Sequence, residues 1–87
     1  MKIPTLHLNG SAPRNLLDPL EEAATALSAA LQALEATSPN DRDYYVQGPE
    51  AGAQARREWR ARVVAVGSVL IEVERLRDAV QRQIDGR

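Results

Sequence analysis

This chain has no cysteine and no phenylalanine, one histidine and one lysine, and its 87 residues hold three aromatic side chains in all: Tyr44, Tyr45 and Trp59. Each shortage removes a class of function or a source of stability. Without cysteine there is neither a disulfide framework nor a thiolate metal site. With His7 as the sole imidazole, the common nucleophile–base pairs and zinc sites lack their groups, and a lone histidine with no partner is expected to be structural or solvated. A formal net charge of -1 argues against a general nucleic-acid binder. No apolar run approaches the roughly 20 residues that span a bilayer, and the N-terminus has no basic stretch followed by an apolar one. The expectation is a soluble, cytoplasmic protein with no membrane partner.

Motifs for phosphate loops, dinucleotide folds, nucleophile elbows, zinc helices and calcium loops are also missing from the sequence. Asp41 and Asp43 are the one pair of neighbouring acids in a turn, and beside Asn40 and Arg42 they fit turn formation better than acid–base chemistry. No catalytic residue, metal ligand or cofactor is expected, and the protein is expected not to be an enzyme. A chain this short buries only roughly 60–65% of the surface its unfolded form exposes. Assembly with copies of itself is the remaining source of stability.

What is present is helical. Met1 to Gly10 carries β-compatible residues ending in an Asn-Gly turn signal, but no second strand exists to pair with it, so residues 1–10 are expected to form an extended arm, with Ile3, Leu6 and Leu8 packing on helices. Ser11 and Pro13 signal a short helical turn, and Asp18-Pro19-Leu20-Glu21 repeats the signal as N-cap, first residue and capping-box partner. Helix 1 is therefore expected over 12–37 with a break near 18. Its apolar stripe is Leu20, Ala23, Ala24, Leu27, Ala30, Leu31 and Leu34. Residues 38–48 form a connector, longer than the 2–8 residues usual between antiparallel helices.

Helix 2 is expected over 49–84. Some 36 residues extend about 54 Å, against about 28 Å for the main part of helix 1, so the two are not matched in length. Trp59, Val63, Val66, Leu70, Val73, Val80 and Ile84 fall on alternating four- and three-residue spacings, interrupted only by Arg77. Val64, Val69 and Ile71 flank that seam and make the stretch from Val63 to Ile71 apolar nearly all round. Such a helix needs cover on several sides, so the fold class expected is all-α: a helical hairpin with one long helix and an extended arm, assembled as a homo-oligomeric bundle. Gly67 in mid-helix costs about 1 kcal/mol relative to alanine and predicts a close helix crossing.

Charge is uneven along this frame. Residues 1–49 carry three basic and six acidic side chains, residues 50–87 eight and six, and the only basic cluster is Arg56-Arg57-Glu58-Trp59-Arg60-Ala61-Arg62. Tyr44, Tyr45 and Gln47 from the connector, with Arg56, Arg57 and Arg60 from the start of helix 2, are the candidate ligand-binding residues. Aromatic faces stack on bases, guanidinium forks hold phosphate, and a helix N-terminus near Gly48 favours an anion. The alternative has the tyrosines closing the end of the bundle and the arginines paired with neighbouring acids.

The segments Ile3-Pro4-Thr5-Leu6-His7-Leu8-Asn9-Gly10-Ser11, Asp43-Tyr44-Tyr45-Val46-Gln47-Gly48-Pro49 and Glu58-Trp59-Arg60-Ala61-Arg62 resemble a pattern in small accessory proteins of tailed phages and prophages. The resemblance implies an accessory phage protein acting in the host cytoplasm. Small helical phage proteins include inhibitors of host defence, one group of which sequesters cyclic nucleotide signals in oligomeric hairpins. By analogy, the expected function is a non-enzymatic anti-defence protein that binds a nucleotide-type immune signal. A protein-interaction or structural accessory protein, binding an acidic partner through the connector and basic helix start, is the alternative.

Overall fold

The computed structural model describes residues 1–86. Two helices, α1 (Pro13–Ala36) and α2 (Ala51–Asp85), form an antiparallel hairpin, and the described residues contain no strand. No helix among them is long and apolar enough to cross a membrane. The four-and-three spacing in α2 marks its contact with α1. Trp59, Val63, Val66, Leu70, Val73 and Ile84 are half-buried, Val80 is fully buried, and from α1 Leu17 and Ala24 are buried against them. Arg77 takes its place in this row by turning its guanidinium to Asp78 at the helix surface, 3.1 Å away.

The helices have 24 and 35 residues, so α2 is longer by about 16 Å. Connector and arm occupy that extra length. The connector folds into two single 3₁₀ turns, Asp41–Asp43 and Tyr45–Gln47, which pack beside the first turns of α2. Asn40 caps the first by accepting a hydrogen bond from the Arg42 N–H at 3.0 Å. Gly48 then reverses the chain at φ 127°, a conformation open to glycine because it has no Cβ.

At the other end the arm is held by one side chain. The Leu6 N–H donates to Gln83 Oε1 at 2.9 Å, and Gln83 Nε2 donates to the Pro4 carbonyl at 2.8 Å. The amide thus supplies both the acceptor and the donor that a neighbouring strand would have offered. Leu6 is half-buried, and Ala79, one turn before Gln83 on the same flank, is 7% exposed. Ile3 and Leu8 do not pack as expected; Leu8 is fully exposed at the turn that Gly10 closes on the His7 carbonyl.

Several local expectations are corrected. The break near 18 is absent, since α1 runs unbroken through Pro19. Leu17 is buried and Leu16 and Leu20 are half-buried, so the seam requires helical geometry across 18–19, while Pro19 and Asn15 are both exposed and water can satisfy the carbonyl that proline leaves without a donor. Asp18 pairs with Arg14 at 3.2 Å instead of capping, and Ala12, not Ser11, is the N-cap. Gly67 makes no tight crossing within the hairpin, because a Cβ there would meet only Leu31 Cδ2, at 4.0 Å. The apolar band also divides: Val63, Val66 and Leu70 face α1, whereas Val64, Val69 and Ile71 are exposed.

Gln83→Ala removes both bonds to the arm and should lower stability by about 1–2 kcal/mol, a fall in Tm of roughly 4–16 °C for a domain of this size. Helical circular dichroism at low temperature should be unchanged. An unaltered Tm would show that the arm contributes nothing to the hairpin.

Candidate anion-binding groove

Where the C-terminal end of α1 meets the first turns of α2, an open groove of about 610 Å³ is lined by Glu35, Ser38, Ala53, Arg56, Arg57, Trp59, Arg60 and Val63. The floor is the half-buried Trp59 with Val63 and Ala53. Trp59 belongs to the helix seam and also joins the two helices through its polar edge: the indole Nε1–H donates to the Leu34 carbonyl at 2.7 Å. Thr37 assists at the same helix end, its hydroxyl donating to the Ala33 carbonyl at 2.6 Å and its N–H to the Leu34 carbonyl at 3.1 Å. Carbonyls that the end of α1 would leave without partners are thereby satisfied.

Three guanidinium groups stand around this floor with one carboxylate, Glu35. Their repulsion is partly offset by the partial negative charge at the end of α1, a helix with no basic residue in its own last turn. A fourth arginine, Arg62, lies over the Trp59 ring with its guanidinium carbon 5.7 Å from the centroid, and does not line the groove. Arg57 and Arg60 make no ion pair with any described residue, while Arg56 pairs with Asp41. The Asp41 carboxylate also lies against Gly52, where a Cβ would collide with it. Asp41 thus lies beside the first turn of α2 and holds the Arg56 guanidinium there.

The structure brings together Arg56, Arg57 and Arg60 from the expected set. Tyr44, Tyr45 and Gln47 do not line the groove; Tyr44 is half-buried, Gln47 is exposed, and Tyr45 and Val46 stand out at 72% and 76% exposure. The aromatic beside the arginines is Trp59, which its spacing had placed in the seam alone. The signal was in the sequence: an indole needs a partner for its N–H and keeps one amphipathic edge near water, and this one sits inside the basic cluster. Chemically, the groove offers cationic forks and an aromatic, apolar floor, the combination that holds a phosphate attached to a ring. No protein family, curated protein or solved structure matches this chain.

Trp59→Phe keeps the ring in the seam and deletes its donor. The expected cost is about 1 kcal/mol, a drop in Tm of roughly 4–8 °C measured by calorimetry. A Tm equal to wild type would mean that the bond to Leu34 does not join the helices.

Proposed function

We propose that this chain is a non-enzymatic, self-associating protein whose Arg56, Arg57 and Arg60 hold the phosphate of a nucleotide-type ligand over Trp59. The observation that carries this reading is the convergence of those three arginines with Trp59 and Val63 in one groove. Binding rather than turnover fits the groups present, since guanidinium stays protonated at physiological pH and serves as a fork for phosphate, not as a base. The link from such binding to removal of a host immune signal is an analogy with small helical phage proteins that inhibit host defence. Tyr45 and Val46, exposed nearby, favour a second reading in which the same end of the hairpin meets an acidic partner protein.

Self-association is supported by the amount of surface the hairpin leaves open. A compact protein of 9.5 kDa exposes about 5,000 Å². This chain exposes 6440 Å². Its radius of gyration is 19.0 Å, against about 12 Å for a compact domain of this length.

Trp59 is the only tryptophan, so its fluorescence reports on the groove directly. Titration with a panel of linear and cyclic nucleotides should give a saturable change that weakens as salt rises. Arg60→Ala should reduce affinity about tenfold, near 1.4 kcal/mol, with Tm little changed. Asp41→Asn, which releases Arg56, should tighten binding. Silence across the panel would overturn the nucleotide reading and leave the protein-partner one.

A further inference from the structure

We infer that a second copy of this chain docks antiparallel on the α2 flank formed by Arg62, Ala65, Val69 and Glu72, about a two-fold axis at the level of Gly67. This rests on the self-association reading and adds to it a face, a direction and a register. α2 leaves large apolar side chains exposed on two flanks, with Val64 at 58% and Ile71 at 49% on one, and Val69 at 46% beside the exposed Ala65 on the other. At about 100° per residue, Val69 lies about 160° around the helix from Ile71. One partner helix cannot cover both.

Charge decides between them. A two-fold axis between antiparallel helices sets each residue against a fixed counterpart, and every contact occurs twice. On the Val69 flank, an axis at Gly67 places Ala65 opposite the partner's Val69 and Arg62 opposite the partner's Glu72. Small then meets large, and positive meets negative. On the other flank, placing Val64 opposite the partner's Ile71 sets Arg57 opposite the partner's Asp78, an acid already paired with Arg77, and nearer the axis sets Arg60 opposite the partner's Arg75, where like charges held together oppose association. That flank carries Arg60 of the groove as well, so docking on the Val69 flank leaves the groove open.

The occupant is a second copy because the pattern is complementary to itself. The exposed area suffices: a standard interface takes about 800 Å² from each partner. The hairpin exposes about 1,400 Å² more than a compact chain of its mass, from 6440 Å² less about 5,000 Å². Arg62 would then have two roles, covering the Trp59 ring within its own chain and meeting the acid across the axis.

The test is a charge exchange read by size-exclusion chromatography with light scattering. Wild type should elute as a dimer or a multiple of one, Arg62→Glu should raise the dissociation constant about tenfold or more, and Arg62→Glu with Glu72→Arg should restore it. Disulfide trapping gives a second readout that does not depend on the stability of the charge variants, because the chain has no cysteine of its own. Ala65→Cys with Val69→Cys should link two chains on oxidation, and neither single substitution should. Trapping by Val64→Cys with Ile71→Cys instead, or a dimer unmoved by the charge exchange, would overturn the flank while leaving self-association standing. A monomeric wild type would overturn both.

Discussion

A hairpin of two helices has one seam, and most other features of this molecule follow from that limit. One seam can bury only a stripe of each helix. Accordingly Leu17 and Val80 are, among the described residues, the large side chains fully enclosed, and most of the apolar row in α2 is half covered. Burying a leucine or valine completely contributes about 1.5–3 kcal/mol, so two such residues leave the hairpin dependent on secondary cover. Gln83 draws the arm over one end of α2, and the 3₁₀ turns pack on the other. Between them, Val64, Val69 and Ile71 are left about half exposed.

Trp59 connects stability with the proposed chemistry. Its ring is part of the seam, its N–H holds the end of α1, one side lies under Arg62 and another forms the floor of the groove. A side chain fixed in that many ways costs little to order when a ligand arrives, which is the advantage of building a site on paired helices rather than on an exposed turn. The tyrosines of the connector lack that support. Asp41, outside the groove lining, already pairs with Arg56, so an anion bound there would have to displace it.

Much of the architecture was legible in the residue pattern. The alternation of four and three from Trp59 to Ile84 marked the face of α2 that meets α1, and the inequality of the helices and the extended arm could be read from Gly, Pro and Asn-Gly positions. Propensity misled where tertiary burial outweighed it: Asp18-Pro19 has every mark of a helix start, yet the leucines around it need an unbroken helix. Gly67 shows a cost without showing its purpose, since within the hairpin only Leu31 of α1 lies near it, at ordinary contact distance. The arginines of the groove were visible as a basic cluster. The aromatic that lines the groove with them is Trp59 rather than the tyrosines of the connector; its spacing gives it a structural role, and an indole can fill both.

On the proposed reading, other chains complete the single seam. The most direct measurement is the thermal midpoint as a function of protein concentration, followed by circular dichroism over roughly a hundredfold range, because association that stabilises only the folded state makes Tm rise with concentration. A steady rise, with a folded mass that is a multiple of 9.5 kDa, is the result expected. A Tm independent of concentration, with a well-folded particle of one chain's mass, would contradict it.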